Sequence, residues 1–206
     1  MSRAAHRVYP TAPSAWCDRT LVVLGRLLLA CVFAYAALTL RAQQSTSAEY
    51  RSKANFLAAI PSFVDWPAAA FSSQQSPFVI CVRGDYSFGT SLAELARSSS
   101  PHGRRVEIRW VHKDLDLRNC QIVFISRSEA KRYAKLLPPL GGTGVLTVGE
   151  TPDFIAAGGI ISFTLENEAL QFEVSLLAAD NARLKISSRL LVLARRIVQR
   201  TDGAKT

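Results

Sequence analysis

The stretch CQIVFISRSEAKRYAKLLPPLGGTGVLTV, residues 120–148, decides the fold class. It opens on an unbroken apolar run, Cys120–Ile125, and passes through a helical pattern from Glu129 to Leu137 that stops at Pro138-Pro139. It closes on a second apolar run, Gly144–Val148. A strand with no polar face is buried on both sides, and two such strands joined by a helix are normally parallel neighbours. The same alternation extends upstream. Pro77–Val82 (PFVICV) reads as a buried strand entering a turn at Arg83-Gly84-Asp85, and Ser91–Ser98 as a short helix. A Ser/Pro/Gly loop follows at 98–103, then Arg105–Val111 (RVEIRWV), where apolar and polar residues alternate as in a strand with one wet face.

The flanks complete the plan. Glu49–Trp66 places Ala54, Leu57 and Ile60 at helical spacing, with Pro61 kinking or ending the helix. Downstream, Phe154–Ala157 suits one helical turn. Ile160–Leu165 and Leu170–Val174 suit an antiparallel hairpin whose longer loop is Glu166–Ala169. Leu176–Arg183 and then Ser187–Arg200 read as helices, the second capped by Ser187 or Ser188. Arg195, Arg196 and Arg200 would favour its last turn through the helix dipole. The expected fold is therefore α/β: a single three-layer domain with a mostly parallel central sheet and an antiparallel C-terminal hairpin, spanning 49–200 with a tail at 201–206.

The first 42 residues have a different character. Arg3, His6, Arg7 and Arg19 precede an apolar run from Leu21 to Leu40, interrupted by Arg26, and small or polar residues follow at 41–48. This is the pattern of a secretory signal, and its apolar run also reaches the length of a short membrane anchor, so both readings stand. Cleavage is expected after Ala42 or Ala48. Cys31 follows a lipoprotein-like Leu28-Leu29-Ala30, yet lies mid-run, where a lipid-modified cysteine does not belong. The formal charge of +9 is partly a product of this segment. Beyond residue 42 there remain 20 Lys+Arg against 15 Asp+Glu, a net of +5, scattered rather than clustered. That pattern supports a solvated surface and gives no nucleic-acid motif.

Residues able to carry chemistry are scarce. His102 and His112 stand at a loop and a strand end, and no Cys/His spacing suits zinc. Gly84–Gly89 is one residue out of step with a nucleophile elbow at Ser87, and Gly141–Gly144 lacks the third dinucleotide glycine and the Walker lysine. Two features rise above this background. Cys81 and Cys120 fall on two expected core strands. In an oxidising compartment they are expected to pair as a disulfide if strand register allows it, the competing reading being two separate buried cysteines. The second is Gly149-Glu150, which ends a strand and so places a carboxylate at the sheet's carboxyl edge, where open α/β folds keep their ligand crevice. Phe154 and Gly158-Gly159 follow it. The bland reading of this edge is a solvated turn.

Several motifs, in order, resemble the YfiR/HmsC-like proteins. These are Lys53-Ala54-Asn55-Phe56-Leu57, Phe63-Val64-Asp65-Trp66-Pro67, Cys81-Val82-Arg83-Gly84, Leu146-Thr147-Val148-Gly149-Glu150, Gly158–Phe163, Phe172-Glu173-Val174 and Leu184–Leu191. The resemblance implies a non-catalytic periplasmic regulator without a cofactor. Its implied partner is the periplasmic sensor domain of a membrane diguanylate cyclase, which it represses, lowering cyclic-di-GMP and biofilm output. Redox state is an implied input, through Cys81 and Cys120. A homodimer and a small-ligand-binding role stay open. Glu150, Phe154 and Arg189 are the expected partner- or ligand-binding residues. Glu150 is read as a rim charge whose reversal would spare the fold, and Phe154 as an anchor if exposed, with a core role as its competitor.

Overall fold

Strand β2, Phe78–Arg83, is buried at every position, and its side chains divide between two cores. Phe78, Ile80 and Val82 enter one apolar cluster, while Val79 and Cys81 enter the other. Successive side chains of a strand point to opposite faces, so a run without polar interruption forces a covering layer on each side. β4, Ile122–Ile125, and β5, Leu146–Gly149, obey the same rule. The computed structural model describes residues 48–199 apart from 86, 87, 89, 167 and 168. The expected signal or anchor at 1–42, the cleavage sites at 42 and 48, Cys31, Ser87, Arg200 and the tail at 201–206 therefore involve residues outside the described ones. Among the described residues no helix is long and apolar enough to cross a membrane.

The main sheet of the described residues has seven strands in the order β3-β2-β4-β5-β6-β7-β9. β3 is Val106–Trp110, β6 Ile161–Glu166, β7 Ala169–Ser175 and β9 Arg196–Val198. The five strands from β3 to β6 are parallel; β6 and β7 form the antiparallel hairpin, and β9 runs parallel to β7. A separate antiparallel pair joins β1, Val64–Asp65, to β8, Lys185–Ile186. Helix α1, residues 48–59, and α2, Ser91–Ser98, contribute to the first core; α3, Tyr133–Leu136, covers the other face. The three-layer α/β fold with its mostly parallel sheet is thus present, and β6–β7 supplies the antiparallel element.

Three local readings are corrected. Ser187–Arg200 is not one helix: α5 is the single turn Ser188–Leu191, capped by the Ser187 side chain, and the chain then enters β9. Arg195 and Arg196 consequently serve no helix end; they pair with Glu166 and Glu173 of the hairpin. The apolar and arginine content of 190–198 suits either state, and edge pairing with β7 decides it. Glu129–Leu137 is a 3-10 stretch, Arg127–Arg132, that becomes α-helical only over α3. The hairpin register pairs Glu166 with Ala169, so two residues connect the strands. Ser175 starts α4, Leu176–Asn181, by accepting the Ala178 N–H at 3.2 Å. Ser175→Ala should cost about 1 kcal/mol in a denaturant titration, the usual value of an N-cap.

Candidate functional site: a buried charge cluster at the carboxyl edge

Tyr50, Lys53, Ala54, Leu57 and Ile60 form one buried stripe of α1 and the turn that follows it, at the i, i+3, i+4, i+7 spacing of a core-facing helix. Lysine on such a stripe requires a carboxylate, because an unpaired buried ammonium is prohibitively costly. Glu150, directly after β5, provides it: Lys53 Nζ pairs with Glu150 and with Glu49, one turn back on its own helix. Tyr50 donates its hydroxyl to both carboxylate oxygens of Glu150 at 3.0 and 3.1 Å. The backbone N–H of Arg127, just beyond β4, donates to Oε1 at 2.8 Å. Arg127 also extends its side chain to Glu49 and Glu150, at 3.5 and 3.8 Å, while remaining 61% exposed.

This geometry revises the reading of the edge. Glu150 is at the carboxyl edge as expected, but it is neither a rim charge nor solvated, since its side chain is fully buried. Phe154 is 0% exposed and belongs to the second core, edge-on to Tyr133 at 4.9 Å between ring centroids. Gly149 and Gly159 make room for that ring: a Cβ on either would lie 2.2 or 2.1 Å from it. The competing reading of Phe154, a core residue, is the one the structure supports. Arg189 is exposed on α5, whose cap residue Ser187 bonds to Phe63, away from the Glu150 cluster. The three residues do not form one surface.

The sequence reading missed Tyr50 and Arg127, and took Lys53 only as part of a family motif. Lys53 was legible, since it is the one cation on the apolar stripe of α1. The partnership of Arg127 was not, because it runs through a backbone N–H. Chemically the cluster is saturated. The carboxylate accepts from three donors, the Tyr50 hydroxyl, the Lys53 ammonium and the Arg127 N–H. Among the described residues no group of His, Cys, Asp and Glu is arranged to hold a metal ion.

A second charged cluster anchors the arch between β3 and β4. Arg83, the buried last residue of β2, donates to the carbonyls of Val111 and His112 and pairs with Asp114 at 3.2 Å. Arg132 and Lys135 reach the same carboxylate at 2.9 and 3.5 Å. Burial alone would raise the Asp114 pKa, but Arg132, Lys135 and Arg83 together hold it below its ordinary 3.8. A depressed carboxyl stabilises the fold above pH 3.8, and that contribution is lost as pH falls through the lower folded value. Asp114→Asn should therefore lower stability at neutral pH and flatten its fall below that point, as followed by melting temperature against pH.

At its other end the arch is tied by a disulfide between Cys81 and Cys120, with Cα atoms 5.9 Å apart. The ladder pairs Cys81 with Val123, so Cys120 lies outside β4. It caps the 3-10 turn Asp114–Asn119, which returns it over the face from which Cys81 projects. This answers the register question.

The YfiR/HmsC-like family profile matches residues 50–195, most of the chain and nearly all of the described domain. The chain belongs to the YfiR/HmsC-like family. Members of the YfiR/HmsC-like family are periplasmic regulators of cyclic-di-GMP signalling. No curated protein matches the chain significantly. Solved structures that it resembles include a conserved domain protein of Vibrio cholerae O1 biovar El Tor, at 13% identity and a TM-score of 0.43. Another is the ABC domain of Streptococcus pneumoniae in complex with L-Trp, at 9% identity and a TM-score of 0.44. Each likeness covers 58% of this chain, and the chain spans about half of each neighbour, 54% and 55%.

Proposed function

We propose that this protein is a non-catalytic periplasmic regulator that binds the periplasmic sensor domain of a membrane diguanylate cyclase and holds the enzyme off. Membership of the YfiR/HmsC-like family carries this reading. The saturated Glu150 cluster agrees with it: the most buried charges of the domain are committed to holding α1 on the sheet, which suits a rigid docking module better than a reaction centre. In this reading the basic, apolar N-terminus exports the domain. A repressor of this kind works by binding the inactive cyclase more tightly than the active one.

Deleting the gene should raise cellular cyclic-di-GMP, and the exported protein should bind the periplasmic segment of a cyclase in the same cell. Unchanged cyclic-di-GMP in the deletion strain overturns the reading. Of the three residues expected at the interface, Arg189 is the one exposed for direct contact. Arg189→Glu should raise cyclic-di-GMP while leaving the melting temperature unchanged, because a rim charge affects association more than folding.

A further inference from the structure

Val148 of β5, Ile161 of β6 and Val174 of β7 are register partners across three adjacent strands, and all three enter the first core. The neighbouring positions Thr147 and Ser175 therefore fall on the opposite face of the sheet. The backbone of Ile160 runs between them. Its N–H donates to Thr147 Oγ1 at 3.0 Å, and its carbonyl accepts from the Ser175 N–H at 2.8 Å. Two strand spacings, roughly 9–10 Å, separate β5 from β7. Over this part of the face the second core gives way to a cavity of about 390 Å³. It is lined by Leu137, Leu140 and Val145 of that core, by Ala178 of α4, and by Thr147 and Ser175. Ala156 and Asn181, both exposed, also line it, so the cavity opens to solvent.

Among the described residues no charged or aromatic side chain lines this cavity. Its buried polarity comes from Thr147 and Ser175, which are 3% and 4% exposed. Each hydroxyl oxygen already accepts a backbone N–H, Thr147 from Ile160 and Ser175 from Ala178. A hydroxyl also carries one proton to donate, and among the described residues neither proton meets an acceptor. Buried hydroxyl groups are normally satisfied, so an apolar cavity beside two free donors is suited to a ligand that brings the acceptor. The lining also decides the charge of that acceptor. A carboxylate would be desolvated here without a counter-ion, whereas an amide or ester carbonyl accepts the same hydrogen bonds at far smaller cost. With no ring to stack against, the aliphatic wall suits an alkyl chain better than a planar aromatic.

From these two donors and their uncharged aliphatic surroundings we infer that the cavity binds an uncharged acyl compound, an alkyl chain carrying an amide or ester carbonyl. The carbonyl oxygen accepts from Thr147 or Ser175, and the chain lies against Leu137, Leu140 and Val145. Donation by Ser175 leaves its oxygen free to go on capping α4. The site uses neither Arg189 nor any residue of the Glu150 cluster. Binding is therefore measured without a cyclase, and its failure leaves the repressor reading intact.

The test is a calorimetric titration of octanamide into protein purified from the periplasm. Octanamide should bind saturably at one site, and octanoate, equal in length but charged, should bind about tenfold more weakly or worse. Thr147→Val removes one donor and should weaken octanamide about fivefold, the worth of one hydrogen bond between neutral groups. Thr147→Ser restores the hydroxyl and should bind like wild type. Thr147→Val also deprives the Ile160 N–H of its acceptor, so melting temperatures accompany each titration. Where that variant fails to fold, Ala178→Leu replaces it. This change fills the cavity, keeps the backbone N–H that Ser175 accepts, and should abolish octanamide binding without lowering the melting temperature. Flotation with phosphatidylethanolamine vesicles separates two sources of the chain. Co-flotation that Ala178→Leu abolishes assigns a bilayer lipid, and its absence beside octanamide binding assigns a free acyl compound. No saturable octanamide binding, equal affinity for octanoate, or binding that Ala178→Leu leaves intact overturns the inference.

Discussion

The double variant Cys81→Ala, Cys120→Ala should lose about 4 kcal/mol of unfolding free energy, the value expected in the chain-entropy model for a bridge of this span. The separation of 39 residues takes in the end of β2, α2, β3 and the arch, so the bridge constrains the unfolded chain over much of the domain. For a domain of this size that corresponds to a drop in melting temperature on the order of 10 °C. The two cysteines are buried, at 0% and 2% exposure, which adds a kinetic expectation. A reductant should act on the wild type only as fast as the arch opens, and should leave the double variant untouched. Equilibrium denaturation with and without reductant measures both. A wild type whose midpoint ignores complete reduction would remove the stabilising role. It would also remove the physical basis for any redox input to the YfiR/HmsC-like fold through this pair. Because Arg83 and Asp114 hold the other end of the arch, the reduced protein should remain folded rather than collapse.

What the sequence revealed follows the physics of each element. Strands β2, β4 and β5 were legible because burial on both faces leaves nearly unbroken apolar runs, with Thr147 the one polar residue inside them and Arg83 at the end of β2, and together they dictate a parallel sheet. The hairpin was legible from two apolar runs and a polar turn. The stretch 187–200 was not, because Leu190, Leu191 and Val192 satisfy a helix as well as a strand, and a partner 23 residues away, Glu173 for Arg196, settles it. The disulfide was expected from two core cysteines but its geometry was not legible, since the 3-10 turn that brings Cys120 over Cys81 has no strong local signature. At the carboxyl edge the position of Glu150 was legible and its environment was not. Nothing in Val148-Gly149-Glu150 tells that α1 lies above it. The counterpart signal was on α1 itself, where Lys53 interrupts an apolar stripe and demands an acid.

That demand makes Glu150 the residue whose replacement should matter most. Removing one partner of a buried ion pair typically costs about 3–5 kcal/mol, because the other charge is left uncompensated. Glu150→Gln keeps the shape and an acceptor for Tyr50, and Lys53 keeps Glu49, so a loss of about 3 kcal/mol is expected from the lower end of that range. Glu150→Lys should be far worse. It places a second ammonium beside Lys53 and Arg127 at a buried position, and a fold held by roughly 5–15 kcal/mol does not survive that. This reverses the expectation that a charge reversal at Glu150 would spare the fold. The pair as a whole is a different matter. Lys53→Met with Glu150→Leu removes both charges, so the double variant should cost less than the sum of Lys53→Met and Glu150→Leu. Denaturant midpoints for the two single variants and the double variant give the coupling energy directly. A Glu150→Gln cost below about 1 kcal/mol would show that the pair is no stronger than a surface ion pair. The cellular consequence then follows from stability rather than contact. Glu150 variants should raise cyclic-di-GMP because the regulator is unfolded and cleared, with its level falling in parallel, whereas Arg189→Glu should raise it at an unchanged protein level. Quantifying the protein and cyclic-di-GMP together in each strain separates a broken fold from a broken interface.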